Sequence, residues 1–267
     1  MRPRVSIIMG IYNCAPTLVE SLDSIARQSY TDWEMILCDD GSTDDTLHLA
    51  REWARRDPRT RVLANERNLG LARTLDRCIA EAAGALLARQ DGDDISEPDR
   101  LEKLVAAMDA HPEIAVVSSW MSCFDEKGVW GLARTKMLPT ADDFLSGSPI
   151  CHAPCMMRPA AVLAVGGYGA QSWVLGAEDL FLWLRLYAAG YRAMNLQEPL
   201  YRMRDDQNAL SRRTLARRLN ETRVRWKGFG MLGLSWHKRL WAVRPILVWA
   251  LPTGVYRQLR GKRLKHV

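Results

Sequence analysis

The sequence predicts an α/β protein built on a doubly wound, mostly parallel sheet. Two patterns carry that expectation. Short β-rich apolar runs alternate with amphipathic stretches of about ten to fifteen residues through the first half of the chain, the pattern of strands joined by crossover helices. Three of those runs then end in polar turns: GIYN at 10–13, DDGST at 39–43 and DGDD at 91–94. In an open parallel sheet such ends share one edge, and ligands bind beyond it.

The elements follow in order. VSIIMGIY is the first strand, and Pro16 suits the opening of a helix that puts Leu18, Leu22 and Ile25 on one face. EMILCDD is the second strand. The helix DDTLHLAREWARR follows, opened by Ser42 or Thr43 as its cap, with acids in its first turn. RVLAN makes a third strand, LARTLDRCIAEAAG a helix stopped at Gly84, and ALLARQ a fourth strand. A helix from about Pro98 to Ala110 precedes the fifth strand, IAVVSSWMSCF. The second half is less regular. CHAPCMMRP reads as a strand entering a helix, EDLFLWLRLYAAG as an amphipathic helix ended by Gly190, and YRAMNL and PLYRMR as two short strands. No Pro/Gly/Ser-rich linker divides the chain, so both halves are expected to share one core.

Composition sets outer bounds. A chain of 267 residues, 48% hydrophobic and 25% charged, can bury a core of ordinary size. MRPR runs directly into the first strand without a leader-like apolar stretch or cleavage site, which points to the cytoplasm. The six cysteines form no CxxC, and Cys151 and Cys155 flanking His152 fall short of the four ligands of a structural zinc site. Reduced thiols are the simpler account. The net charge of +6 hides an asymmetry: of the 37 Lys and Arg, eleven lie after Glu221 with no Asp or Glu among them, leaving 26 against all 31 acids.

The acidic turns carry the candidate chemistry. Asp91-Gly92-Asp93 puts two carboxylates either side of a small residue, a spacing that can share a hard cation such as Mg²⁺ or Mn²⁺ and through it a phosphate. The bland alternative makes Asp93 or Asp94 the cap of the next helix. In DDGSTDDT, Gly41 permits a tight turn, and capping plus helix-dipole effects explain the later residues. They do not explain Asp39 and Asp40 at the end of a buried strand. A carboxylate there can accept from a pyrimidine N3–H, with Tyr12 as an aromatic surface for the base.

With those residues in place, VSIIMGIYN, CDDGSTDDT, NLGLARTLDRCI and ARQDGDDISEPDRLEK together resemble the family 2 glycosyltransferases, inverting enzymes of the GT-A fold. The likeness runs on through HPEIAVVSSW, CHAPCMMRP, VGGYG, AEDLFLWLRL and NLQEPLYRMR, covering residues 4–215. Gln90, Thr74 and Asp76 depart from the family's common residues at their positions. The resemblance implies a sugar moved from a nucleoside diphosphate sugar, UDP- or dTDP-linked, to an acceptor hydroxyl. It implies that Asp40, Tyr12, Asp91 and Arg73 contact the donor, and that Asp93 with Asp91 holds a divalent cation, Mn or Mg. The Glu178-Asp179 pair matches the family's ED motif, with Asp179 as the base that deprotonates the acceptor; first-turn acids favouring a helix dipole are the alternative. His152 either lines the acceptor pocket or is a satisfied core histidine.

The implied organisation is a GT-A domain over 1–215, with a nucleotide-binding half to about 120 and an acceptor half to 215. A basic, Trp-containing helical tail follows over 216–267. Its longest charge-free run, Pro245–Tyr256, is twelve residues, against about 20 for a spanning helix. Trp226, Trp236, Trp241 and Trp249 among cations, with Arg257, Arg260, Lys262, Arg263 and Lys265 closing the chain, instead suit the surface of an anionic membrane. A lipid-linked or glycan acceptor at the cytoplasmic face of the cell membrane would make such docking useful. A helical face packed on the body is the alternative, and no nucleic-acid-binding motif accompanies the charge. Two rival functions remain. A sugar nucleotidyltransferase would want a Gly-rich basic loop where IYNCAPT stands. A non-enzymatic, glycan-binding or scaffolding relative would tolerate losses at Asp40, Asp91, Asp93 and the ED pair, all of which are present.

Overall fold

The computed structural model describes residues 2–169, 171–205 and 214–264. Strand β1 (Val5–Ile11) leads into α1 (Ala15–Ala26), then β2 (Trp33–Asp39), α2 (Thr46–Arg56), β3 (Thr60–Ala64), α3 (Leu71–Glu81) and β4 (Leu86–Arg89). A two-residue strand β5 (Ile95–Ser96) precedes α4 (Arg100–Ala110), β6 (Val116–Asp125) and β7 (Gly128–Ala133). The second half adds β8 (Met156–Met157), α5 (Pro159–Ala164), α6 (Glu178–Ala188) and β9 (Ala193–Arg204). Four helices close the chain: α7 (Leu215–Met231), α8 (Trp236–Arg239), α9 (Arg244–Trp249) and α10 (Thr253–Leu264).

One sheet runs β3-β2-β1-β4-β8-β6-β9-β5, with β7 paired to β6. β1, β2, β3 and β4 are mutually parallel, as are β6 and β9; β8, β5 and β7 run against their neighbours. The sheet is therefore mixed, mostly parallel, as the alternation of strands and helices predicts. Each of β1, β2 and β4 is buried along nearly its whole length, which is why these runs read as continuous apolar stretches. Leu18, Leu22 and Ile25 of α1 pack on one face with Ile7, Met9 and Met35. On the other face, Ile8, Ile36 and Leu87 share a core with Trp183, Leu184 and Tyr168 from the second half.

Several local expectations are corrected. α2 begins at Thr46, without a side-chain cap from Ser42 or Thr43; Ser42 Oγ accepts from Asn13 N–H and Asp44 Oδ2 from Ala15 N–H. Those side chains tie β1's turn to β2's turn instead of closing a helix. α3 ends at Glu81, before Gly84. YRAMNL and PLYRMR join into the single strand β9, whose pairing with β6 slips around Trp120 opposite Pro199. Proline has no N–H for the ladder, so the strand continues through an irregularity rather than breaking. β5 and β7 escaped the sequence reading because they are short and half-exposed.

The tail is not uniformly peripheral. Val224 and Phe229 of α7, with Ala242 beyond it, are fully buried in the core shared with α6. Arg225, also buried, donates to Phe144 O and pairs with Glu221. The first helix of the basic segment is thus part of the body's packing. Among the described residues no helix is long and apolar enough to cross a membrane. Lys265, and the side chains of Arg257, Arg260, Lys262 and Arg263, lie outside the described residues.

Candidate active site

The three polar strand ends meet because their strands are neighbours in register. Ile11 lies opposite Asp39, Asp40 N–H donates to Ile11 O at 2.8 Å, and Gln90 N–H donates to Ile8 O at 3.2 Å. Helix α1 closes over the DGDD turn: Ser21 Oγ donates to Asp91 O at 2.7 Å and Thr17 Oγ1 to Gly92 O at 3.0 Å.

Asp40 is built into the loop after β3. Its Oδ1 accepts from Asn65 Nδ2 at 2.9 Å and Leu69 N–H at 2.8 Å, and its Oδ2 from Gly70 N–H at 2.9 Å. A carboxylate offers about four lone-pair sites, so three are used and one is left for a ligand donor. Asp39 takes the turn itself, accepting from Gly41 and Ser42 N–H. Tyr12 beside them is 46% exposed, an aromatic ring left in solvent at the end of a buried strand.

The acidic knot at 91–94 is resolved by cations from within. Arg89, buried at the end of β4, pairs with Asp91 through both oxygens. Gln90, fully buried, donates to Ser21 Oγ, Asp91 O and Asp94 O while accepting from Ser96 Oγ. Asp94 Oδ1 accepts from Arg204 N–H at 2.7 Å, and Arg204 Nε donates to Asp93 O at 3.0 Å. Burial, then the Asp91 and Asp93 charges, push the Asp94 carboxyl well above the carboxylate range, so it is a structural group. Sequence reasoning missed Arg89 and Arg204 and marked Gln90 only as a departure from the family's common residues; a lone arginine ending the apolar run ALLAR is the signal that could have found the first.

Asp91 and Asp93 offer hard carboxylate oxygens on either side of Gly92, which suits a hard divalent cation. Among the described residues no group of three His, Cys, Asp or Glu side chains converges. A cation held here would need further oxygen ligands beyond these two carboxylates.

Beyond these turns lies a cavity of about 600 Å³ whose lining includes Tyr12, Asp40, His152, Glu178, Asp179 and Arg217. Glu178 and Asp179 open α6, whose remaining residues are largely buried. Burial and the adjacent Glu178 charge raise the Asp179 carboxyl to about 6. His152 Nε2 is 2.7 Å from the Tyr168 hydroxyl, and burial, with Arg89 nearby, drops the imidazole well below its usual value; it is neutral at pH 7. Asp76 holds that tyrosine in place by accepting from Tyr168 N–H at 2.8 Å. Of the sequence-derived site residues, Tyr12, Asp40, His152, Glu178 and Asp179 share this cavity. Asp91 and Asp93 are not among its lining residues, and Arg73 lines a neighbouring hollow instead. Arg217 had not been singled out at all.

A family model described as Glycosyl transferase family 2 matches residues 6–165. The chain belongs to that family. A putative glycosyltransferase, EpsE, of Bacillus subtilis (strain 168) is 40% identical over 263 residues, covering 98% of this chain and 95% of that protein. The Escherichia coli UDP-Gal:alpha-D-GlcNAc-diphosphoundecaprenol beta-1,3-galactosyltransferase is 28% identical over 221 residues, covering 79% of this chain and 78% of that one. Among solved structures, S. aureus TarS 1–349 in complex with UDP-GlcNAc superposes with a TM-score of 0.72 at 20% identity, over 93% of this chain and 72% of that one. The mannosyltransferase PcManGT from Pyrobaculum calidifontis, in complex with GDP-Man and Mn²⁺, gives 0.68 at 21% identity, over 98% and 80%. These likenesses make the fold GT-A, and this family 2 glycosyltransferase carries its acid pair, Tyr12 and Asp40 around one cavity.

Proposed function

We propose that this family 2 glycosyltransferase transfers a sugar with inversion from a nucleoside diphosphate sugar, UDP- or dTDP-linked, to an acceptor hydroxyl during cell-surface polysaccharide synthesis. The observation that carries the reading is Asp179: a carboxylate raised to about 6, facing the same cavity as Tyr12 and Asp40. A base poised near the working pH removes a proton most effectively. Asp179 takes the acceptor hydroxyl's proton, the oxygen bonds to the anomeric carbon, and the bond to the diphosphate oxygen breaks with its electron pair leaving on the nucleotide. A divalent cation at Asp91 and Asp93 would neutralise that leaving group. Tyr12 stacks the base and the remaining acceptor site of Asp40 takes its N–H. Relatives that act on UDP-sugar or GDP-mannose, and the Mn²⁺ held by PcManGT, support the donor class and the cation. The amylovoran biosynthesis glycosyltransferase AmsE of Erwinia amylovora, 29% identical over 216 residues, supports the polysaccharide setting.

The chain works at the cytoplasmic face of an anionic membrane, held by its last helices. Trp236, Trp241 and Leu247 are 74%, 56% and 64% exposed among cations, which supports interfacial docking. The deciding experiment is a thermal-shift screen of nucleotide sugars with and without Mn²⁺, since a ligand of the native state raises the melting temperature. Stabilisation by one nucleoside diphosphate sugar, enhanced by Mn²⁺ and followed by transfer, is expected. Binding of a glycan with no nucleotide sugar bound or consumed would replace the enzyme with a scaffolding protein.

A further inference from the structure

His152 lines the cavity from a turn that is tied to the sheet. Cys155 N–H closes that turn onto His152 O at 3.3 Å, and Cys155 O accepts from Arg89 N–H at 2.9 Å. Ser118 Oγ, on β6, donates to Cys151 O at 2.6 Å. β8 runs against β4, so the turn that enters it lies at β4's carboxyl end, the sheet edge that also carries Tyr12 and Asp40. Glu178 and Asp179 reach the same cavity from α6 instead. The imidazole stands edge to face with Tyr168 and Trp183, ring centres 5.3 and 5.9 Å away.

The hydrogen-bond network fixes the tautomer of that ring. Tyr168 is fully buried, and burial keeps its hydroxyl protonated. His152 Nε2, 2.7 Å away, is the hydroxyl's one partner among the described residues. A buried hydroxyl proton needs an acceptor, so Tyr168 O–H donates to Nε2, and the neutral ring carries its own proton on Nδ1. Tyr168 is itself clamped: Asp76 accepts from its N–H, and Arg185 Nη2 donates to its carbonyl at 2.9 Å. Nδ1 makes no hydrogen bond among the described residues and is not sealed from solvent; the half-buried ring opens on the cavity it lines. A fixed, uncharged N–H in a cavity is a donor that orients a hydroxyl oxygen. We infer that His152 Nδ1–H donates to a hydroxyl of the donor sugar and helps decide which nucleotide sugar is used, with Tyr168 as the positioning residue that sets the tautomer. This rests on the glycosyltransferase reading above, in which the transferred sugar lies between the nucleotide at Tyr12 and Asp40 and the base Asp179.

The test uses the full chain with Mn²⁺ and titrates UDP-glucose, UDP-galactose, UDP-N-acetylglucosamine and dTDP-glucose by calorimetry, each beside its free nucleoside diphosphate. His152→Phe should weaken the best-bound nucleotide sugar about tenfold, the scale of one lost hydrogen bond, and leave the affinity for the free diphosphate unchanged. His152→Asn, whose amide N–H can stand near the place of Nδ1, should recover part of the loss. Within a series of monodeoxy donors, the one lacking the hydroxyl that Nδ1 reads should bind the wild type weakly and lose nothing further in His152→Phe. Nitrogen NMR of the imidazole should show Nδ1 protonated and Nε2 bare in the wild type, and Tyr168→Phe should lose that preference. Equal loss of nucleotide sugar and free diphosphate, no loss at all, or a wild-type proton on Nε2 would overturn the inference. A chain that binds neither UDP nor dTDP nor their sugars overturns the transferase reading and this inference with it, a distinct result.

Discussion

Asp179 stands at the first turn of α6, where the helix dipole alone would hold a carboxylate low, yet burial and Glu178 raise it to about 6. That choice has two consequences of opposite sign. Transfer should rise with pH through about 6 as the base loses its proton, and Asp179→Asn should lower kcat by roughly 10²-fold or more while nucleotide binding persists. Stability should move the other way. The folded carboxyl binds its proton more tightly than the unfolded one, near 3.8, so its contribution is full below about pH 4 and is lost as pH rises through 6. Asp179→Asn should therefore melt higher than the wild type at pH 8 and equally at pH 3.5, as calorimetry would show; no pH-dependent difference would place the carboxyl in water. At the acidic turn, Asp93→Asn should abolish the extra stabilisation that Mn²⁺ gives to a bound nucleoside diphosphate, in a protein that still folds. Retained Mn²⁺ dependence would move the cation elsewhere. Gly41 has φ +72°, and a Cβ there would sit 2.6 Å from the Arg67 carbonyl carbon. Gly41→Ala should push the 67–70 loop off Asp40, costing about 1 kcal/mol or more in stability and weakening nucleotide binding. Normal affinity in that variant would detach Asp40 from the base.

Helix α7 shows what element-level reading gains and loses. Its sequence, LARRLNETRVRWKGFGM, carries five cations and one acid, and charge alone marks it as part of a solvated tail. In the fold its Val224 and Phe229 are inside the core, and Gly228 lies so close to α6 that a Cβ would be 2.4 Å from Leu184 Cδ1. Phe229→Ala should thus destabilise the whole chain by about 3–5 kcal/mol in one cooperative transition. Chemical denaturation that leaves the main transition unmoved would return α7 to the periphery. Strands β1, β2 and β4 were legible because each is buried on both faces, and continuous apolar runs survive any detail of packing. β9 was not, because Pro199 reads as a break locally while pairing with β6 carries the strand past it.

For the molecule as a whole, the charge asymmetry resolves into a body whose acids are tied to its own cations and a helical end where cations meet exposed tryptophans. Some of those cations are already engaged: Lys238 pairs with Asp142, and the Arg239 guanidinium stacks 4.7 Å from the Trp226 ring. Membrane attachment should then lean on Trp236 and Trp241 as much as on charge. The full chain should co-sediment with vesicles containing anionic lipid and release partly at high salt; Trp236→Ser with Trp241→Ser should release it further without changing the melting temperature. Equal sedimentation by both proteins would remove the membrane from the proposal.

The sequence by itself determined the alternation of β1 to β4 with their helices, the strand-end turns that carry Tyr12, Asp40, Asp91 and Asp93, and the acid pair at the start of a helix. Those features are local: burial pattern, turn residues and motif spacing are written in consecutive positions. Tertiary structure decided which of them meet. It turned Asp91 onto Arg89, made Asp94 a buried structural acid held by Arg204 from 110 positions away, and placed Arg73 in a cavity apart from Tyr12. It also raised Asp179 by burial against elements distant in the chain. Desolvation and pairing depend on what surrounds a group in space, and no window of neighbouring residues holds that information.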